Sequence, residues 1–158
     1  MGHLHTGEAN MSMSLKIVRN VGSALCAVTL LMAPAAHAQT LAACGQAVAF
    51  KVQPPAAQVP PEMQAFSGPW IGTWDSGVCN AVVIESIQPD GTVGILDVFG
   101  PVGSNPAGQL RYAGKIAGDT LTSSGRTQAV QFTLNSPTQM SGTFISNTAQ
   151  SRGTFSRP

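Results

Sequence analysis

From Phe66 to Pro158 the chain is a train of short runs rich in Val, Ile, Thr and Phe, separated by turn residues at near-regular spacing. That rhythm leaves few folds open to it. The run from Asn80 to Gln88 ends in Pro89-Asp90-Gly91, a strong turn signal. Thr92 to Phe99 follows, then a loop with Pro101, Gly103, Pro106 and Gly108. Gln109 to Ala117 leads to a turn at Gly118-Asp119, and Thr120 to Ser123 to another at Ser124-Gly125. Thr127 to Asn135 carries Val130, Phe132 and Leu134 at every second position, with Gln131 and Thr133 between them. This alternation suits a strand with one wet face. Ser136-Pro137 turns into Met140 to Ser146, and Ser151 to Arg157 is the last run. With Trp70 to Asp75 as the first, the pattern predicts an all-β domain of about eight antiparallel strands in an up-and-down meander. Closing the meander into a barrel removes its exposed edges and is the favoured arrangement. A two-sheet sandwich is the other solution.

Upstream the composition changes. Lys51 to Gln64 holds Pro54, Pro55, Pro60 and Pro61, which favours extended structure and reads as a linker or a segment along the domain surface. Thr40 to Phe50 is apolar enough for a short helix. Before it, Lys16 and Arg19 precede an uncharged run from Val21 to Ala33, Pro34 breaks the run, and Ala36-His37-Ala38 closes it. A positive head, a short apolar middle and a small-x-small exit make a secretory signal, cleaved after Ala38. The run is too short to span a bilayer as a helix. Met11 or Met13 is the expected translation start. The expected organisation is leader and signal over 1–38, an N-terminal arm over 39–65 and a β-domain over 66–158. A minority alternative reads Leu41-Ala42-Ala43-Cys44 as a lipoprotein box with Cys44 lipidated. Export to a periplasm or to the outside is expected either way.

The three histidines are His3, His5 and His37, so a chain beginning at Gln39 has no imidazole. That excludes histidine acid/base catalysis, Ser-His and Cys-His nucleophiles and histidine metal ligands. From Gln39 on, Lys51, Arg111, Lys115, Arg126, Arg152 and Arg157 are balanced by Glu62, Asp75, Glu85, Asp90, Asp97 and Asp119. A neutral, sparsely charged domain lacks the basic stripe that nucleic acid requires. Cys44 and Cys79 are the two cysteines left, and in an oxidising compartment such a pair bridges. Without a histidine or a paired CxxC motif they make no zinc site, and no metal or cofactor is expected. There is no Gly-x-Ser-x-Gly, no Ser-x-x-Lys and no strand-to-helix phosphate loop, so no catalytic residue set is assigned.

Gly72-Thr73-Trp74, Gly142-Thr143-Phe144 and Gly153-Thr154-Phe155 share a Gly-Thr-aromatic pattern, which points to similar corner positions in the first and last two strands. Gly72-Thr73-Trp74 on the first strand, followed by a strand, Pro89-Asp90-Gly91 and another strand, resembles the opening of lipocalin and avidin barrels. It also looks like small exported bacterial β-domains. The resemblance implies that Trp74 packs against a basic residue of the last strand, Arg157 or else Arg152, and plugs one barrel end. The chain departs from both families. The domain is short for a lipocalin and shows no further lipocalin signature. Trp70 and Trp74 are its only tryptophans, so the tryptophan-lined biotin site of avidins is not carried over.

Trp74, Asp97, Phe99, Arg111 and Tyr112 are the candidates for a ligand site at a barrel mouth, where aromatic walls and a few polar groups hold a small molecule. The competing assignment puts Trp74 and Phe99 in the core and makes Asp97 and Arg111 a solvated or cross-strand pair. Asp75, Glu85 and Asp97 are the acids that a carboxylate-dependent hydrolase would need in one cleft. The reading that results is an exported, non-enzymatic binding module. Its partner is a small apolar or sugar-like ligand or a protein, not nucleic acid, and it has no membrane span. The alternatives are an envelope-associated structural protein with a filled barrel, and the hydrolase.

Overall fold

The structure is a computed structural model and describes residues 38–158. The expected signal, its cleavage triplet up to His37 and the candidate starts lie outside the described residues. The strands are β1 (Ala38–Ala43), β2 (Gln46–Lys51), β3 (Gly68–Trp74), β4 (Cys79–Ile87), β5 (Thr92–Phe99), β6 (Gly108–Ala117), β7 (Thr120–Ser124), β8 (Gln128–Ser136), β9 (Gln139–Ser146) and β10 (Gln150–Ser156). One short helix, α1 (Pro61–Gln64), precedes β3. Strands β3 to β10 form a closed antiparallel barrel of eight strands, each paired with its sequence neighbours, and β10 returns to β3. Closure is made by Ser156 opposite Ile71, Phe155 opposite Gly72, Thr154 opposite Thr73 and Gly153 opposite Trp74. The barrel is thus chosen over the sandwich, and no sheet edge is left in it.

Turn chemistry sets these registers. At the β4–β5 turn Gly91 has φ +85, which a Cβ disfavours, and an added Cβ would stand 2.5 Å from the Ile116 carbonyl oxygen. Asp90 accepts from the Thr92 amide at 2.9 Å, the Thr92 hydroxyl at 2.8 Å and Lys115 Nζ at 3.1 Å. These partners, the Thr92 amide foremost, draw its carboxyl down to about 2.

The stretch expected as a helix over Thr40 to Phe50 is instead the hairpin β1–β2. Cys44 (φ 52) and Gly45 (φ 76) form its two-residue loop. Positive φ at both central positions gives the twist that suits flanking strands and forbids a helix. Leu41, Ala43, Val48 and Phe50 fall on one face and pack on Ala81, Val83, Leu96 and Val98, the outward side chains of β4 and β5. Those two strands are therefore buried on both faces, which explains their nearly continuous apolar sequence. Cys44 and Cys79 are joined by a disulfide, with Cα atoms 5.4 Å apart. The lipidated alternative needs the same sulfur and is not compatible with this bridge.

The proline-rich stretch also differs from expectation. Its end folds under the barrel rather than running along the surface: Val59, Met63 and Phe66 belong to the main core cluster. Pro60 and Pro61 sit where a helix start tolerates them. Gln64 Nε2 donates to the Val59 carbonyl at 2.7 Å and holds the turn shut.

This end of the barrel is closed by Trp70 and Arg157. The Arg157 guanidinium lies 3.8 Å over the Trp70 ring. It donates to the Ser67 and Ala65 carbonyls, each at 2.6 Å, while Trp70 Nε1 donates to Phe66 O at 2.8 Å. The plug expected of Trp74 is thus made by Trp70. Trp74 is two inward positions further along β3 and stands at the opposite end. The chain contains two Gly-x-Trp sequences, and Gly68-Pro69-Trp70 is the one at the plug. Gly68 has φ +95, with Arg157 Nη1 3.1 Å from where its Cβ would be.

Two stability predictions follow from these contacts. The disulfide closes a loop of sequence separation 35, so Cys44→Ser/Cys79→Ser should cost about 3–4 kcal/mol in denaturant unfolding. Hydrogen exchange should then show β1–β2 opening before the barrel. Arg157→Met should cost about 2–4 kcal/mol, because two carbonyls lose a charged donor and the ring loses its cation. Arg152→Met, on an exposed side chain, should change unfolding by under about 0.5 kcal/mol.

Candidate functional site

Alternation along each strand decides what faces the barrel interior. On β5, Val93 and Ile95 face inward in the main core, while Leu96 and Val98 face the hairpin. Asp97 and Phe99 continue the inward series. On β6, Tyr112 and Ile116 face inward. On β8 the inward series is Val130, Phe132 and Leu134.

The interior is filled at one end and open at the other. Phe66, Trp70, Ile84, Ile95, Ile116, Leu121, Met140 and Phe155 are fully buried and pack the closed half. Beyond them lies a cavity of about 1080 Å³. It opens where β3 ends and β4 begins, where β5 passes to β6, where β7 passes to β8 and where β9 passes to β10. A wholly filled barrel is therefore not what this sequence builds.

The cavity floor is aromatic. Trp74 and Phe155 meet edge to face at 5.1 Å, and Phe132 and Phe155 at 5.2 Å. Phe144 lies 6.2 Å from Trp74. The glycines of the Gly-Thr-aromatic echo make room for these rings. A Cβ on Gly142 would stand 2.9 Å from both Trp74 and Phe155 and 3.0 Å from Phe132. One on Gly153 would stand 3.0 Å from Trp74 and Phe155. The echo thus marks the layer on which the cavity rests.

One wall is polar. Asn80, at 4% exposure the one buried polar residue among those described, donates through Nδ2 to Asp97 Oδ1 at 2.5 Å and to the Val98 carbonyl at 3.0 Å. Asp97 Oδ2 accepts no hydrogen bond from any described residue. Burial raises the Asp97 carboxyl above the usual carboxylate range, against the pull of the Asn80 hydrogen bond. Tyr112 lines the same wall, and burial, then the Asp97 charge, pushes its phenol well above the usual tyrosine range. The phenol therefore keeps its proton at neutral pH.

Of the sequence candidates, Trp74, Asp97, Phe99 and Tyr112 line the cavity. Arg111 does not. It precedes Tyr112 by one residue, so it must face outward. There Nε donates to Glu85 Oε2 at 2.9 Å and Nη2 to Oε1 at 3.1 Å, beside the β2 edge. The proposed Asp97–Arg111 pair is absent for the same reason: Asp97 lies opposite Leu110, and Arg111 opposite Leu96. The three acids are also split. Glu85 is on the outer face with Arg111. Asp75 is at the cavity rim, where the Ser151 hydroxyl, then backbone donors, hold its carboxyl below the usual range. Asp97 is inside. Sequence reasoning missed Asn80, Phe132, Phe144 and Ser123 as lining residues. For Phe132 and Phe144 the parity of their strands was a usable signal.

No protein-family model matches the chain, and neither does any curated protein. Among solved structures, the chain is similar to three designed barrels. A redesigned β-barrel is 19% identical over 61% of this chain and 95% of that chain, with a TM-score of 0.49. A redesigned β-barrel, mFAP1, bound to DFHBI, is 18% identical over 62% of this chain and 100% of that chain, with a TM-score of 0.49. A de novo designed fluorescence-activating β-barrel is 16% identical over 63% of this chain and 100% of that chain, with a TM-score of 0.47.

Because folded Asp97 holds its proton more tightly than the unfolded chain does, its contribution to stability is complete below the ordinary carboxylate pKa, about 4, and is lost as pH rises through the raised folded value. Asp97→Asn keeps an acceptor for Asn80 and removes the half-buried charge. The variant should melt above the parent at pH 7, and the gap should close below about pH 3. A gap that does not change with pH would mean that Asp97 is not desolvated.

Proposed function

We propose that this chain is an exported, non-enzymatic module that binds a small, largely apolar ligand in the open half of its barrel. The observation that carries the reading is the cavity of about 1080 Å³, floored by packed aromatic rings and walled on one side by Asn80, Asp97 and Tyr112. Small-molecule sites typically enclose about 300–1,000 Å³, are mostly apolar and hold a few converging polar groups. The barrel end opposite the mouth is sealed by Trp70 and Arg157, which makes the cavity a cup rather than a channel. Its floor is built on close ring contacts, so the shape is preformed and a ligand orders little of the protein on entering.

No histidine follows His37, and both cysteines of the described residues are bridged. Export is supported by that disulfide and by the leader pattern that precedes the described residues.

Nile red, a neutral apolar dye, tests the reading. One dye per chain should bind saturably with enhanced emission, and Ser123→Phe, which puts a ring into the cavity, should weaken this at least about tenfold without lowering the melting temperature by more than a few degrees. Dye binding that ignores Ser123→Phe would place the apolar surface elsewhere. No binding at all would shift the role to protein contacts.

A further inference from the structure

The aromatic floor explains why an apolar body would enter the cavity; it does not explain Asp97. The inward positions before and after it on β5 are Ile95 and Phe99, and an aliphatic side chain at 97 would continue that face without cost. A carboxylate there is held by a single protein donor, Asn80 Nδ2, on one oxygen. The other oxygen has no described partner, and Asp97 lines the cavity. Asp97 is half-buried and its free oxygen is open to the cavity, so a charged partner would have to come from what enters there.

No described residue supplies such a partner. Arg111 and Lys115 point outward and are engaged by Glu85 and Asp90. Arg157 is at the sealed end over Trp70. Lys51 is on the outer hairpin, and Arg126 and Arg152 are exposed at the mouth side. The other titratable groups that line the cavity are Tyr112, which keeps its proton, and Asp75 at the rim, which is a second negative charge. The only charged side chains among the described residues that line the cavity are therefore acids, and its aromatic faces, Trp74 above all, also attract cations.

We infer that the cavity takes an apolar, ring-bearing amine, whose protonated nitrogen pairs with the free oxygen of Asp97 while its ring rests on the aromatic floor around Trp74. This rests on the ligand-binding reading above and names the ligand class. The ammonium supplies the charged donor that Asp97 lacks, and Tyr112 and Asn80 flank it with polar atoms. A neutral isostere would bury the carboxylate further without neutralising its charge, and an acid would add like charge.

Calorimetric titration of the full chain with naphthylmethylamine, naphthylmethanol and naphthoate tests this at pH 7. The three share one ring and differ in charge. The amine should bind at least about tenfold tighter than the alcohol, with naphthoate weakest, since the ammonium adds an ion pair to the hydrogen bond that the alcohol can also donate. Asp97→Asn, expected to fold well, should bring the amine-to-alcohol ratio to about one. Lys115→Gln, on the outer face, should leave the ratio where it was. Equal binding of amine and alcohol, or a preference that survives Asp97→Asn, would overturn the amine assignment and leave the ligand-binding cavity standing. No binding by any of the three, together with no Nile red binding, would remove both.

Discussion

Antiparallel pairing of β10 with β3 is the constraint on which the molecule depends. Once Phe155 lies opposite Gly72 and Gly153 opposite Trp74, the sheet has no edge and an inside. Every residue of β3 to β10 is then sorted by parity into interior or exterior. The sorting is strict: Asp97 and Val98, or Tyr112 and Arg111, are one bond apart in sequence and on opposite sides of the wall. A slip of one residue at closure would turn Phe155 outward and bring Thr154 inside. The aromatic contacts around Gly142 and Gly153 oppose such a slip, because the rings fit only where the Cβ atoms are missing.

The two ends of the barrel are built on different principles. At the sealed end the chain spends its bulk: Trp70, Phe66 and the segment from Val59 to Met63 fill the space, and Arg157 satisfies the carbonyls left free by the turn into β3. At the open end Trp74, Phe132 and Phe144 form a floor, and the walls beyond it mix Phe99 and Tyr112 with Asn80, Asp97, Ser123 and Ser151. The outer hairpin completes the wall. It covers β4 and β5, the strands that carry Asn80 and Asp97, and the disulfide holds it there. The polar wall is thus backed by a second apolar cluster, which stiffens the strands that position it.

Much of this was legible in the chain. The Val/Ile/Thr runs and the Pro-Asp-Gly and Gly-Asp turns place eight strands close to where they are, because strand propensity and turn chemistry are local. The Cys44–Cys79 bridge and the glycine echo were also readable. The apolar composition of Thr40 to Phe50 suits a short helix as well as the hairpin it forms: Leu41 and Ala43, and Val48 and Phe50, alternate, but Cys44 gives no sign of its left-handed backbone. The resemblance carried by Gly72-Thr73-Trp74 puts the plug on Trp74; Gly68-Pro69-Trp70 has the same Gly-x-Trp pattern, and only the position along β3 separates the two. Arg111 is a site candidate as a polar group among aromatics, though period-two alternation alone sends it and Tyr112 to opposite faces.

The sequence by itself determined what is encoded between near neighbours: strand lengths, turns, the neutral charge balance and the lack of imidazole after His37. Tertiary structure alone decided which end is stoppered, which tryptophan stacks on Arg157, and that Asn80 and Asp97, seventeen positions apart, share one wall of a cavity. The reason is physical. A strand fixes the face on which each side chain lies, but closure and shear fix its height in the barrel, and height separates a packed core from a binding cup.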